Sequence, residues 1–140
     1  MPSFSPASNA HLDTCSQDIQ RLFRTVVKTY DCSIWEGHRG KALQNKYYSE
    51  SPQKSRVQWP NGKHNDMPSN AVHAAPYPFP GWEKEKEIEV IRACYHFAGY
   101  VRRVAEELGI KIRWGGNWDR DTVMNDQTWM DLIHYELVED

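Results

Sequence analysis

The sequence predicts a mixed α+β domain in which helices and strands form separate layers. The 140 residues are 39% hydrophobic and 26% charged, and this length and composition suit one globular domain. Residues 18–30 and 83–108 repeat their apolar side chains at helical intervals. Shorter apolar segments are typical of strands and lie at residues 32–37, 69–75, 110–114 and 130–137. The resulting order of elements favours segregated layers.

Three segments are predicted to be helical. The first begins near Asp13 or Thr14, either of which can start a helix. Residues 39–49 form a second, shorter helix. The third, residues 83–108, has acids at its start and Gly109 as a stop after its end. One side of this helix is predicted to carry its main apolar residues, Ile88, Ile91, Tyr95, Ala98, Val101 and Leu108.

Residues 50–80 are rich in proline and show no helical period. The segment includes Val57, Trp59 and Tyr77, which make it too apolar for a linker, so we expect an ordered loop that crosses the domain. Within it, "SNAVHAA" predicts a buried strand. After the strand "IKIRW", the stretch "GGNWDRDTVMNDQTW" predicts a loop, and its "WGGNW" portion could simply be a turn that packs two indoles.

Charge and composition argue against several classes of protein. The formal net charge of −2 gives no strong field toward nucleic acid or an anionic membrane. No apolar run reaches the roughly 18 residues of a transmembrane helix, and the N-terminus lacks the basic and apolar regions of a signal peptide. Cys15, Cys32 and Cys94 are scattered, which indicates reduced thiols in the core. We therefore expect a cytosolic fold without membrane insertion.

Three histidines have the layout of a catalytic metal site. His64 lies in a turn-rich loop, His73 lies nine residues later in an apolar strand, and His134 lies far along the chain. Three protein ligands leave a fourth position for water, and Asp131 could accept its proton. The alternatives are a surface His64, a buried structural His73 and a half-buried strand at residues 130–139. Glu136 is the second candidate for the base.

Four ordered motifs resemble the M15 family of zinc peptidases, most closely the small phage endolysins that are L-alanyl-D-glutamate peptidases. The motifs are "IWEGHRG...Q", "KSRVQWPNGKHN..PSNAVHAAPYP", "GIKIRWGGNW" and "DLIHYEL", and the match runs from about residue 19 to 137. The resemblance implies the Hedgehog/DD-peptidase fold, an α+β fold with a small antiparallel sheet and flanking helices. It also implies a single domain over residues 1–140 without a separate cell-wall-binding domain.

The resemblance assigns roles to individual residues. The zinc (Zn²⁺) ligands match His64, His73 and His134, and the general base matches Asp131. The arginine that polarises the scissile carbonyl or steadies the oxyanion matches Arg39, although an isolated arginine is by default a surface cation. Two further positions that line the substrate cleft in relatives match Gln44 and Ser55.

The implied function is hydrolysis of the L-Ala–D-Glu bond in the stem peptide of bacterial peptidoglycan, for host lysis by a phage. The stem peptide is the expected partner, and the protein is expected to be a monomer that does not bind nucleic acid. It would be made in the host cytoplasm and act in the periplasm on the cell wall after the membrane is permeabilised. The absence of a wall-binding module suits a thin-walled Gram-negative host.

Two positions depart from the family pattern. His73 stands where the family has an aspartate ligand, and Asn117 stands where "WGGNW" usually has aspartate. Zinc accepts three histidines, but the site loses a negative charge. The alternative interpretation is therefore a catalytically impaired or inactive member that serves as a wall-binding or virion structural protein. A zinc-stabilised nucleic-acid module is disfavoured because CxxC pairs and a basic stripe are missing from the sequence.

Overall fold

The structure is a computed structural model that describes residues 1–121 and 130–139. Within these residues the chain forms four α-helices and one four-stranded sheet. The helices are α1 (Pro6–Leu12), α2 (Gln17–Val26), α3 (Lys41–Ser49) and α4 (Glu87–Leu108), and the strands are β1 (Cys32–Glu36), β2 (Ala71–Pro76), β3 (Ile112–Trp114) and β4 (His134–Leu137). Short 3₁₀ turns lie at Lys63–Asn65 and Lys84–Lys86. The predicted α+β class is confirmed.

The sheet is antiparallel throughout, with the strand order β1-β2-β4-β3. In this order β4, the last strand in sequence, lies between β2 and β3. His73 on β2 pairs with His134 on β4, and Glu136 on β4 pairs with Arg113 on β3. Cross-strand partners lie on the same face of a sheet, so these side chains share one face.

An irregularity in β1 brings Glu36 onto the same face. The register moves from Ile34 opposite Ala74 to Glu36 opposite His73, so one extra residue is accommodated between them. Such a β-bulge re-aims a side chain, and here it aligns Glu36 with the row of His73 and His134.

The opposite face of the sheet carries the core. Ile34, Val72 and Tyr135 alternate with the residues of the other face and are at most 2% exposed. They pack against apolar side chains of α2 and α4, and these two helices contact each other. The core therefore fixes the sheet from behind and leaves the row of histidines and carboxylates on the other side.

Helix α1 is not predicted by the apolar pattern of the sequence, and local capping explains it. The Ser5 side chain accepts a hydrogen bond from the Ser8 backbone N–H at 3.1 Å, and Pro6 occupies the first turn, where its missing N–H costs nothing. The Ser8 hydroxyl in turn accepts the N–H of Ile34 at 3.0 Å. The helix therefore covers the free edge of β1.

The start and the core face of the predicted third helix need correction. Residues 84–86 form a separate 3₁₀ turn before α4 begins at Glu87. Ile88 and Ile91 are 63% and 41% exposed, so they do not belong to the core side. The buried residues of α4 are Cys94, Phe97, Ala98, Val101, Val104 and Ala105. Gly109 ends the helix with a φ of 72°, as expected.

The last strand is shorter than predicted. Residues 130–133 were expected to belong to it, but β4 begins at His134. The His134 N–H donates to the Asp131 carbonyl at 3.1 Å, which closes a tight turn before the strand. Asp131 therefore lies on a loop beside the sheet. Part of the predicted loop at residues 115–129 lies outside the described residues.

Other expectations concern burial and membrane contact. Cys15, Cys32 and Cys94 are free and buried, which confirms them as small core residues. Among the described helices, none has the length and apolar character that crossing a membrane requires.

Tyr135→Phe should stabilise the fold. The Tyr135 side chain is 1% exposed, and its buried hydroxyl has no hydrogen-bond partner among the described residues. Removing a buried unsatisfied hydroxyl should raise the free energy of unfolding by about 1 kcal/mol. Urea unfolding measures the change, with Leu22→Ala in the same core as a control that should lose about 2–5 kcal/mol. A loss of stability in Tyr135→Phe would contradict the unpaired hydroxyl.

Candidate metal centre

The histidine row forms part of a cleft of about 630 Å³. His73, His134 and Glu136 come from the sheet, and His64 comes from the 3₁₀ turn Lys63–Asn65. The segment before this turn supplies one wall, whose residues include Lys54, Ser55, Arg56 and Val57. Part of the predicted loop of residues 50–80 thus lines the cleft.

Three imidazoles converge in this cleft. His64, His73 and His134 each offer a ring nitrogen, and these atoms lie within 4.8 Å of one another. The ring centroid of His64 lies 4.6 Å from that of His73 and 5.1 Å from that of His134. The predicted grouping of the three histidines is therefore present in the structure, and the surface alternative for His64 is wrong because that residue is 3% exposed.

Backbone and carboxylate contacts orient two of the rings. His64 Nδ1 lies 2.7 Å from the Gly37 carbonyl oxygen, to which it donates, and its Nε2 faces inward. His134 Nε2 donates a hydrogen bond to Glu136 Oε1 at 2.8 Å, so the Nδ1 of His134 faces inward. Outer contacts of this kind fix the tautomer of a ligand histidine. Glu136 thus orients a ring, which disfavours its alternative role as base.

The inward nitrogens of His64 and His134 fit a bound cation. They are 3.3 Å apart, close to the separation of about 3.3–3.4 Å between ligands on a tetrahedral ion with bonds of about 2.0–2.1 Å. In the tautomers fixed by Gly37 and Glu136, both nitrogens present lone pairs, which repel unless a cation or a proton lies between them. Burial and the neighbouring charges of His73, His134 and Arg39 hold the pKa of His64 well below its usual value, so a proton is disfavoured.

His73 lies between two carboxylates. Its Nδ1 is 3.5 Å from Glu36 Oε1, and its Nε2 is 3.5 Å from Asp131 Oδ2. Glu36 is a site residue that the sequence did not predict. It lies in the motif "IWEGHRG", and only the bulge in β1 brings it opposite His73. His73 lacks the negative charge that an aspartate ligand would carry. Glu36, which lies behind His73, supplies a negative charge there instead.

Asp131 is ionised in this setting. Burial by itself would raise the pKa of Asp131, but the hydrogen bond from His73 and the charges of His73, His134 and Arg39 bring it below its usual value. The carboxylate is 30% exposed, so it can reach a molecule in the cleft.

Arg39 is 6% exposed, so the alternative of a surface cation is wrong. Its Nε donates to Glu36 Oε1 at 3.0 Å, its Nη2 also contacts this oxygen, and its Nη1 donates to Gln44 Oε1 at 3.1 Å. These contacts use three of the five guanidinium N–H groups, and Arg39 is among the residues that line the cleft.

Gln44 holds the cleft wall to Arg39. Its amide nitrogen donates to Ser55 Oγ at 2.8 Å and to the Val57 carbonyl at 2.6 Å, while its oxygen also accepts from Asn65 at 3.1 Å. The side chain is fully buried, and its hydrogen bonds are made inside the protein. Direct contact of Gln44 or Ser55 with substrate remains a prediction.

Asn117, which stands where the family has aspartate, is not among the residues that line this cleft. The side chain lines a separate cavity with Tyr95 and Trp114, and its Nδ2 donates to the Asp121 carbonyl at 2.7 Å. The two indoles of "WGGNW" pack on different partners. Trp114 contacts Tyr95, and Trp118 contacts His134.

Gly115 sets the position of Asp131. The Asp131 N–H donates to the Gly115 carbonyl at 2.9 Å, and the Gly115 N–H donates to the His134 carbonyl at 2.8 Å. A Cβ at Gly115 would overlap the Asp131 carbonyl oxygen. The glycine is therefore required for the close approach that holds Asp131 beside the histidines.

Gly115→Ala should destabilise the domain and displace Asp131. Relief of the overlap needs a backbone shift, which costs about 1–3 kcal/mol. Gly99→Ala on α4 is the matched control, because a Cβ there meets nothing within 4 Å and alanine favours a helix by up to about 1 kcal/mol. Urea unfolding of both variants gives the free energies, and equal stabilities would refute the steric role of Gly115.

The fold and the cluster define a small α+β protein whose cleft has the donor set of a metal site. Residues 2–138 match the model of the family described as "Phage L-alanyl-D-glutamate peptidase". The chain therefore belongs to this family. No curated protein sequence matches the chain. The chain is similar to the crystal structure of Serratia marcescens L-Ala D-Glu endopeptidase ChiX, with a TM-score of 0.69 and 24% identity over 98% of this chain and 91% of that chain. At this identity the likeness establishes the fold, while the family supports a peptidoglycan peptidase.

Proposed function

We propose that the protein is a metal-dependent endolysin that hydrolyses the L-Ala–D-Glu bond of the peptidoglycan stem peptide. The observation that carries the proposal is the convergence of three histidines beside the ionised carboxylate of Asp131 in an open cleft. Family membership supports the bond, and it also supports a role in host lysis.

His64, His73 and His134 are the proposed ligands. Their imidazole nitrogens suit zinc, which takes three protein ligands in catalytic sites and leaves one position open. A bound zinc ion would supply Lewis acidity, polarising the scissile carbonyl and making water more acidic. His73 would present Nε2 to the ion, since its Nδ1 faces Glu36.

Asp131 is the proposed general base and acid. Because its pKa is lowered, the carboxylate is free of a proton and can accept one from the attacking water. The proton is then delivered to the leaving amine of D-glutamate, which completes cleavage of the amide. The hydrogen bond from the Asp131 N–H to the Gly115 carbonyl keeps the residue in place through both transfers.

Arg39 is the proposed support for the oxyanion. The two guanidinium N–H groups not used by Glu36 and Gln44 can donate to the carbonyl oxygen as negative charge develops on it. Because the guanidinium is held from behind, it is preorganised for this interaction.

The cleft wall fits an anionic peptide. Lys54 and Arg56 line it, and their positive charge suits the carboxylates of a stem peptide, whereas Lys63 is paired with Glu136. Ser55 lies among them and is the proposed contact for the peptide backbone, whereas Gln44 positions Arg39. We extend the proposal to a monomer, formed as one domain by residues 1–140, that is made in the host cytoplasm and acts on the wall from the periplasm.

The decisive experiment is cleavage of a synthetic peptide that contains the L-Ala–D-Glu bond, followed by mass spectrometry. The wild-type protein loaded with zinc should release alanine from the rest of the peptide, a chelator should stop the reaction, and added zinc should restore it. Asp131→Asn should keep the zinc, as measured by atomic absorption, and lose about 10²–10⁴-fold in rate.

Each result separates the alternatives. No cleavage by the zinc-loaded wild-type protein would favour a non-catalytic wall-binding protein, the possibility raised by His73. Loss of zinc in Asp131→Asn would make this residue a ligand instead of the base. Full activity in Asp131→Asn would move the base to another carboxylate.

Glu36 and His73 should act together on metal affinity. Glu36→Gln removes a negative charge 3.5 Å from the Nδ1 of a proposed ligand histidine and should weaken zinc binding about 10–100-fold. In a His73→Asp background the same change should cost much less, because a carboxylate ligand carries its own negative charge and is repelled by Glu36. Calorimetric titration of the four proteins in this cycle measures the coupling. Glu89→Gln on α4 is the control, and additive effects of the two substitutions would contradict the pairing.

A further inference from the structure

Three aromatic side chains form a surface cluster outside the core. They are Trp35, Phe79 and Trp82. The ring centroid of Phe79 lies 5.0 Å from that of Trp35 and 4.8 Å from that of Trp82, and the two indole centroids are 5.9 Å apart. Trp82 is 71% exposed, and none of the three belongs to the hydrophobic core. We call this cluster the aromatic platform. Trp35 and Phe79 are half-buried beneath Trp82, and an apolar patch that remains exposed in this way can mark an interaction site.

The backbone is shaped to present the platform. Gly81, immediately before Trp82, has a φ of 128°, a conformation that is strained for any other residue. A Cβ at Gly81 would also overlap the carboxylate of Glu83. Trp35 lies within the bulge of β1, between Ile34 and Glu36. Both indoles are therefore placed by local backbone features.

Trp35 lies on the face of the sheet that carries the histidines. Ile34 is 2% exposed and points into the core, so the next side chain, Trp35, points to the opposite face. That face carries Glu36 and His73, and consecutive Cα atoms are only about 3.8 Å apart. Trp35 is therefore the chain neighbour of Glu36, whose carboxylate lies 3.5 Å from His73.

The nearby charges indicate what the platform can bind. The segment after Trp82 reads "EKEKEIE", in which acids outnumber lysines, so an anionic membrane surface would be repelled. Flat, uncharged rings with an apolar face suit such aromatic side chains, and a pyranose presents a face of C–H groups with hydroxyls at its rim. A neutral sugar is thus favoured over a lipid headgroup.

We propose that the aromatic platform stacks on a pyranose ring of the glycan strand to which the stem peptide is attached. This inference rests on the proposed function. The alanine of a stem peptide is joined to a sugar of the glycan, so a sugar lies within one or two residue lengths of the L-Ala–D-Glu bond. A sugar held on the platform would raise the effective concentration of the attached peptide at the cleft.

The test compares two substrates in Trp82→Ala. For intact peptidoglycan, whose peptides remain on the glycan, KM should rise about five- to tenfold with little change in kcat. For a sugar-free stem peptide, both parameters should stay at wild-type values. Trp82→Phe should recover most of the KM, because a phenyl ring can still stack. Ile91→Ala is a control for loss of an exposed apolar side chain, since Ile91 is 41% exposed and lies outside the platform.

A binding experiment makes the result independent of catalysis. Glycan strands freed of their peptides should co-sediment with the wild-type protein and with Trp82→Phe, and much less with Trp82→Ala. Equal sedimentation of all three proteins would overturn the inference, as would an equal rise of KM on both substrates. If neither substrate is cleaved by the wild-type protein but the glycan still binds through Trp82, the proposed function fails and the sugar site stands.

Discussion

The pairing of β2 with β4 is the constraint on which the site depends. It places His73 opposite His134, and every other component is arranged around this pair. The bulge in β1 places Glu36 beside His73 at one end of this row of side chains. The turn at Lys63–Asn65 brings the His64 ring against His73. Because side chains alternate along strands, a slip of one residue in this pairing would send His134 into the core and Tyr135 into the cleft.

The site is organised as histidines held by oxygen atoms behind them. Gly37 and Glu136 hold His64 and His134 through hydrogen bonds, and the Glu36 carboxylate lies 3.5 Å from His73. Charges balance in the same layer, since Arg39 lies against Glu36 while Lys63 and Arg113 lie against Glu136. Burial by itself would raise the pKa of Glu136, but the hydrogen bond from His134 and the charges of His134, Lys63 and Arg113 lower it, which keeps this acceptor ionised.

The sequence predicted those features that depend on residues close together in the chain. The apolar runs gave β1 and β2, and Gly109 gave the end of α4. The motifs brought His64, His73 and His134 to attention before any contact was known. Exposure of Ile88 and the late start of β4 were missed because both depend on which distant elements pack nearby. Glu36 was missed because its partner His73 is 37 positions away and is reached only through a bulge.

The order of strands also has a consequence for how the protein forms during synthesis. β4 is the fourth strand to leave the ribosome, yet it is an inner strand and separates β2 from β3. A nascent chain that ends before β4 lacks His134 and has no completed sheet, so the histidine cluster is assembled in one late step. Closing such long-range pairings is slow relative to helix formation. Unfinished chains therefore lack the complete ligand set, and hydrolytic potential is confined to molecules whose translation has passed β4.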